Sequence, residues 1–429
     1  MGWPRFRLGV SSQAIVCQCV AISHIFSMKS SDLIFPKFKP RKVLTVVVHW
    51  PRLGPYHIAR LKATEQVFSQ HRFRINVLEI YRSDNEYLWE SIDQGDEFER
   101  STLFPEATSR EISRLLLFKK IWGWLETIQP YAVAINGYSS WDSLFILLWC
   151  HINNCVPILM SESKLDDAHR MIVKEYIKKK IVSQFNAALC GGTPHRAYLK
   201  QLGMPENRIY DGYDAVDNQF FIEETDKVRQ SSRDFHALPG LQDTRPFFLA
   251  SGRFIPRKNF IGLIRAYKLY KQNCQRNNQD PWRLVILGNG PQREELFAEI
   301  ILTHLQQDIC LAGVYMVKDL PAYYALASAF IHPTLQDQWG LVVNEAMASS
   351  LPILVSNKAG CSMDLIQDGN EGFAFNPEDV ADLGALMFKF SSRQVDLGKM
   401  RQAALRKIMS WGVERFARNL LQAVFIGVK

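Results

Sequence analysis

The 429-residue sequence has no cysteine pair at CxxC spacing, no Asp-x-Asp triplet and no uninterrupted apolar run of the about 18 residues a membrane span needs. The first absence sets aside a zinc site. The eight cysteines, at 17, 19, 150, 155, 190, 274, 310 and 361, fall partly inside apolar runs such as Ile309-Cys310-Leu311 and read as buried thiols of a reducing compartment. Without the acidic triplet, any chemistry at phosphate is expected to use side-chain cations and helix ends, with no metal ion. The missing apolar run points to a cytoplasmic chain, peripheral to a membrane at most. Basic residues do not interleave with aromatic ones, so a nucleic-acid partner is not expected.

What is present describes a globular enzyme-sized molecule. Apolar residues make up 47% and charged residues 22% of the chain. The length exceeds one ordinary core and predicts two domains. A formal charge of +8 favours anionic partners, among them phosphorylated substrates and acidic lipid. The main basic cluster, Lys174, Lys178, Lys179 and Lys180, reads as a solvated helix face or as a membrane or substrate patch. Arg5 and Arg7 precede a mildly apolar stretch, Leu8 to Phe26, that polar residues interrupt. Residues 1–40 are therefore expected to be a poorly ordered leader, with Met28 as an alternative start.

Short β-branched runs alternate with amphipathic helical stretches, as a parallel sheet covered on both faces requires. Strands are predicted at Lys42–His49, Arg74–Ile80, Tyr131–Asn136, Val156–Ser161 and Ala187–Gly191, with an apolar helix over 109–128. In the second half they are predicted at Pro246–Ser251, Arg283–Gly288, Ile309–Gly313, Ala329–Pro333 and Pro352–Ser356. The polar stretch 223–245, with Pro239-Gly240, reads as a connection. The expected architecture is two doubly wound Rossmann-like α/β domains, 41–222 and 246–408, facing a cleft. A last helix, 409–429, returns to the first domain. Ligands bind beyond the carboxyl ends of such sheets.

Three segments at predicted strand ends carry chemistry. Ser251-Gly-Arg-Phe-Ile-Pro-Arg-Lys-Asn259 sets two cations, Arg253 and Lys258, ahead of a helix, which suits a diphosphate. Leu287-Gly-Asn-Gly-Pro291, with Gly288, lacks the third glycine of a dinucleotide fingerprint and by itself reads as a tight turn. His332 to Ala348 holds Asp337 and Glu345, one before a helix start at Gly340 and one inside it. Carboxylates there suit paired sugar hydroxyls, although a plain core helix with an exposed Glu345 explains the same pattern.

Taken in order, these segments resemble the signature of the retaining GT-B glycosyltransferases of the "group 1" family. The resemblance extends through Gly313, Leu351-Pro-Ile-Leu-Val-Ser356 and Gly369–Asn376, and Asp211–Phe220 is similar to the strand and loop before the family's domain linker. It implies a hexosyltransferase-like enzyme that moves a sugar from a nucleotide-diphosphate sugar to an acceptor with retained configuration. No cofactor beyond the donor substrate is implied. Arg253, Lys258 and Asp337 would be catalytic, with the two cations on the diphosphate and Asp337 near the transferred sugar. Glu345 would take the ribose, amides around Trp339, Gly340 and Leu341 would sit near phosphate and sugar, and Gly288 and Gly54 would line the crevice. Two departures stand out: the family usually has Glu at Asp337 and Gly at Ser350.

The acceptor side is less legible. Glu162 and Lys164, in Ser161-Glu-Ser-Lys-Leu-Asp-Asp167, face the expected cleft as acceptor candidates or form a polar helix cap. His57 is a third candidate, or a packing histidine. The acceptor itself, a sugar, a lipid-linked molecule or another small compound, stays open. The apolar helix 109–128 and basic 170–180 region are the surfaces a membrane would meet. A GT-B epimerase or phosphorylase and a non-catalytic sugar-nucleotide binder are the rival readings.

Overall fold

The structure, a computed structural model, describes residues 43–82, 98–106, 112–168, 170–231 and 238–426. The leader expected over 1–40, with Met28, lies outside the described residues. In chain order the first domain runs β1 (Leu44–Trp50), α1 (Pro55–Ser69), β2 (Phe73–Tyr81), β3 (Glu99–Phe104), α2 (Arg114–Ile128), β4 (Ala132–Asn136), α3 (Trp141–Ile152), β5 (Val156–Ser161), α4 (Ile172–Val182), β6 (Ala187–Cys190), α5 (Thr193–Gln201) and β7 (Ile209–Tyr210). After α6 (Asn218–Gln230), the second domain begins with β8 (Phe247–Ser251), α7 (Phe260–Arg276), β9 (Arg283–Leu287), α8 (Arg293–Leu302) and β10 (Ile309–Gly313). It continues through α9 (Leu320–Leu326), β11 (Ala329–His332), α10 (Leu341–Ala348), β12 (Ile353–Ser356), α11 (Ser362–Leu365), β13 (Gly372–Phe375), α12 (Val380–Ser391) and α13 (Leu397–Ile408), and the chain closes with α14 (Val413–Phe425).

Both sheets are parallel throughout, in the orders β3-β2-β1-β4-β5-β6-β7 and β10-β9-β8-β11-β12-β13. The fold is therefore GT-B: two doubly wound domains, as the strand–helix alternation requires. In each sheet the winding reverses next to the first strand, between β1 and β4 and between β8 and β11. At such a switch point the loops leaving the two strands part and open a crevice. The strands are apolar along their whole length because helices cover both faces: Val46, Val47 and Val48 of β1 are all fully buried. Helices α1 and α14 pack on one face of the first sheet, and α2 to α5 on the other.

Four elements differ from the sequence reading. β3 is an edge strand of mostly polar, half-buried residues, ordered by register with β2 (Asn76 opposite Glu99) rather than by hydrophobicity. β7 and β13, also outside the predicted strands, likewise lie at edges. Helix α6 occupies part of 223–245, where a connection was expected; Asp217 caps it, accepting from Phe220 N at 3.0 Å.

The two chain crossings between domains run side by side. Val216 bridges Gly412, and Asn218 Nδ2 donates to Ile408 O at 2.8 Å. Beyond them α14 packs on α1, and Arg415 pairs with Asp211 at 2.7 Å. The crossing that sequence resemblance assigned to the last helix is thus tied at its start by charge and along its length by apolar packing.

Candidate active site

The loop after β8 carries Arg253, half-buried, and Lys258, which closes a short 3-10 turn at Pro256–Lys258. Asn259 follows with φ 56°, its amide donating to Pro333 O and Pro377 O at 3.1 and 2.9 Å. This fastens the start of α7 to the end of β11. The loop also lies directly on the Gly288-Asn289-Gly290 turn. Phe254 N donates to Asn289 O at 2.8 Å, and a Cβ on Gly288 would sit 1.9 Å from Gly252 O. With φ +143° as well, Gly288 is required by a backbone crossing, and the isolated tight turn that its sequence suggested is too weak a description.

That crossing gives a direct comparison. Gly288→Ala should cost about 2–4 kcal/mol, since neither backbone can yield without moving the Arg253 loop. Gly313→Ala, at φ +96° with no atom within 4 Å of the added Cβ, should cost only the left-handed strain of about 1 kcal/mol. Thermal melts of the two variants test this; equal losses would mean that the crossing is not rigid.

Asp337 meets Lys258 across the β8–β11 switch point, as an ion pair between Lys258 Nζ and Asp337 Oδ2. His332 Nε2 lies 2.9 Å from the same oxygen. Burial holds His332 below its ordinary pKa, so its neutral ring donates a hydrogen to the carboxylate. Burial pushes the Asp337 carboxyl up, but the hydrogen bond from His332 and the charge of Lys258 outweigh it and hold the group well below the usual carboxylate range.

Glu345, one turn inside α10, is fully buried and not exposed as a plain core helix would leave it. Tyr56 of the first domain donates to its Oε1, and Tyr324 donates to Oε2 at 2.7 Å. Burial raises the carboxyl, and the two tyrosine hydroxyls only partly oppose this, leaving it at about 7. Gly340 begins α10 at φ +107°, and its modest clearance beside His332 favours the absence of a side chain. Leu341 is half-buried at the first helical position. The Trp339 ring turns inward, tilted against the rings of Trp411 and His195, with its Nε1 donating to Asn344 at 2.9 Å. Ser350 adopts φ 57°, the left-handed turn for which a glycine carries no Cβ penalty.

On the first domain, Lys164 is buried and reaches across the cleft to Lys358 O at 2.9 Å while pairing with Asp166 at 2.8 Å. Glu162 lies against the buried Asp214. Burial, then the charge of Glu162, pushes the Asp214 carboxyl well up; burial also raises Glu162, against the pull of Arg60. His57, the third acceptor-side candidate, stands in the first turn of α1. Its Nδ1 accepts from Gly54 N at 2.9 Å, and burial plus Arg60 and Arg52 hold it down to about 3. A Cβ on Gly54 would stand 3.7 Å from that nitrogen, an ordinary contact, so packing within the protein does not demand glycine there.

Sequence reasoning missed several members of this constellation. His332 stood inside the quoted segment without weight, Tyr56 and Tyr324 come from separate helices, and Asp214 and Arg60 are distant in sequence from Glu162. His195 was also missed: its Nδ1 accepts from Gly192 N at 3.1 Å, so Nε2 donates to Gln338 O at 2.9 Å and fixes the Asp337 loop from the opposite domain. Its signal was a histidine three residues after a Gly-Gly strand end.

Residues 231–407 match the family described as glycosyl transferases group 1. Sulfoquinovosyl transferase SQD2 of Arabidopsis thaliana is 34% identical over 154 residues, 34% of this chain and 29% of that protein. The serotype-specific mannosyltransferase WbdA of Escherichia coli is 25% identical over 288 residues, 63% of this chain and 33% of that protein. The chain thus spans about a third of the length of these curated relatives. A glycosyltransferase from Rickettsia africae superposes with TM-score 0.68 at 14% identity, over 91% of this chain and 99% of that one. Anabaena Alr3699/HepE, solved with UDP and glucose, gives TM-score 0.67 at 14% identity, over 88% and 98%.

Proposed function

We propose, taking the group 1 match over residues 231–407 as the premise, that this protein moves a glycosyl unit from a nucleotide-diphosphate sugar to a hydroxyl acceptor with retained configuration. The observation that carries this reading is the meeting of Lys258, Asp337 and His332 at the β8–β11 switch point, eight residues before the buried Glu345. Arg253 and Lys258 would bind the diphosphate and stabilise the charge that grows on it as the glycosidic bond breaks. Asp337, kept ionised by its two partners, would accept hydrogen bonds from the sugar's hydroxyls. Glu345 would take the ribose diol. The start of α10 at Gly340 and Leu341 would add amide donors to a phosphate or sugar oxygen. Glu162 and Lys164, on the opposite wall, would meet the acceptor. UDP in the Anabaena structure and the transferase names of the relatives support a sugar-nucleotide donor.

A thermal-shift series with UDP-, GDP- and ADP-sugars tests the donor half without knowledge of the acceptor. One donor class at a hundredfold excess over its Kd should stabilise the folded protein by about 2.7 kcal/mol. No shift with any of them would reject the reading. The anomeric proton coupling of the product, by NMR, distinguishes retention from inversion. Asp337, shorter by one methylene than the family's glutamate, also suits a sugar-nucleotide binder without turnover. Such a protein would give the thermal shift but no product.

A further inference from the structure

His332 ends β11, is 1% exposed, and sits beside the β8–β11 switch point, opposite Val355 of β12. Gly340 leaves the ring its room: a Cβ there would stand 3.1 Å from His332 Nε2. The backbone around Asp337 is fixed as firmly. Thr334 Oγ1 and Leu335 N both donate to Arg257 O at 2.8 Å, and Gly360 N donates to Asp337 O at 3.3 Å. On a fixed backbone an aspartate keeps only its side-chain torsions, so fixing one carboxylate oxygen sets the direction of the other.

Both side-chain donors choose the same oxygen. Lys258 Nζ pairs with Asp337 Oδ2, and His332 Nε2 lies 2.9 Å from it. Among the described residues none donates to Oδ1, and the Asp337 side chain keeps 13% of its surface exposed. Of the two donors the lysine is the weaker guide, because its ammonium is a point charge on a flexible stem. The neutral imidazole is a rigid plane whose single N–H donates along one line. Burial chiefly, and among lesser causes the charge of Asp337, raises the Glu162 and Asp214 carboxyls of the opposite domain. The Asp337 carboxylate therefore borders the space between the domains.

We propose that His332 is a positioning residue for donor choice: by holding Oδ2 it turns Oδ1 alone to the transferred sugar, so that Asp337 reads one hydroxyl of that sugar. The inference rests on the glycosyl-transfer reading and narrows it. A carboxylate open at both oxygens takes a vicinal diol as a pair. One held at Oδ2 offers a single charged acceptor, in a direction that the ring and not the sugar decides. The short aspartate suits this arrangement, because one more methylene would restore a torsion that the ring does not control.

The test measures binding of the full chain to the sugar nucleotide that the thermal-shift series selects, and to analogues of it that each lack one sugar hydroxyl. One analogue should bind about 10- to 100-fold more weakly than the donor by a loss that disappears in Asp337→Ala, as a hydrogen bond to a charged group implies. The same loss should fall to about threefold or less in His332→Leu, with the losses at the other hydroxyls unchanged. His332→Gln, whose amide donates from nearly the place of Nε2, should restore it. His332→Phe replaces the leucine variant if that one does not fold. Two losses that disappear together in Asp337→Ala mean that the carboxylate reads a pair, which overturns the inference. A loss that survives in the folded leucine or phenylalanine variant does so too, as does a folded His332→Gln that fails to restore it. Each of these leaves the transfer reading standing, whereas no shift with any sugar nucleotide removes that reading and this inference together.

Discussion

On the proposed transfer reaction, Lys258→Ala should lower turnover by about 100- to 1,000-fold while changing the donor's apparent affinity far less. The ammonium is paired with Asp337, on a turn that Asn259 fastens to β11. It is therefore held in place by the protein itself. A diphosphate leaving group carries most of its extra charge only as the glycosidic bond breaks, so a fixed cation stabilises the transition state more than the bound donor. The substitution also strips Asp337 of one of the two groups that keep it ionised, which moves its carboxyl upward. Steady-state kinetics alongside a melt separates the effects: a folded variant with turnover within tenfold of the parent would remove Lys258 from the chemistry. Without an identified acceptor, slow donor hydrolysis followed by nucleotide release serves as the readout.

The second large effect concerns Glu345 and pH. Its carboxyl is raised in the folded protein, from the 4.5 of an unperturbed glutamate to about 7. The protonated form is thus favoured by folding. This contribution is fully present below about pH 4.5 and is lost as the pH climbs through 7. At 1.36 kcal/mol per unit the span amounts to about 3 kcal/mol. Glu345→Gln keeps the shape and can hydrogen-bond both tyrosines without a titrating charge. It should raise the melting temperature at pH 8 by several degrees and make no difference near pH 4.5. Donor binding should show the opposite trend. A ribose diol donates to a carboxylate, so the parent's donor affinity should rise between pH 6 and pH 8, and Glu345→Gln should bind more weakly at both. Constant affinity across that range would place the ribose elsewhere. Tyr56 adds a geometric condition, because its hydroxyl donates to Glu345 Oε1. A donor using that oxygen must displace a residue of the opposite domain.

Much of this framework is already present in the order of residues. β5 and β10 run Val156–Ser161 and Ile309–Gly313 as the apolar runs predict, and α14 spans Val413–Phe425. Buried parallel strands announce themselves because both faces are covered and nearly every residue must be apolar. β3, β7 and β13 escaped notice since an edge strand is held by a neighbour's backbone and needs little hydrophobicity of its own. Helix α6 lies in a polar stretch, so its buried positions, Phe221 and Thr225 among them, are spaced too sparsely to read against the surrounding charge.

The sequence by itself determined the chemistry available: two cations after one strand, two carboxylates after another, and glycines where backbone must approach backbone. These are properties of residue types at strand ends, and the linear order carries them. Only the tertiary structure decided what state those groups are in. A protonation state follows from burial and from neighbours brought together across the fold. Asp337 stays ionised because Lys258 and His332 converge on one oxygen, whereas Glu345 holds its proton to about pH 7 because full burial outweighs the hydrogen bonds that two tyrosines, one from each domain, donate to it. The same dependence on long-range neighbours brought the unforeseen His195 to Gln338 in the Asp337 loop, whereas the bond from Gly54 N to His57 is local.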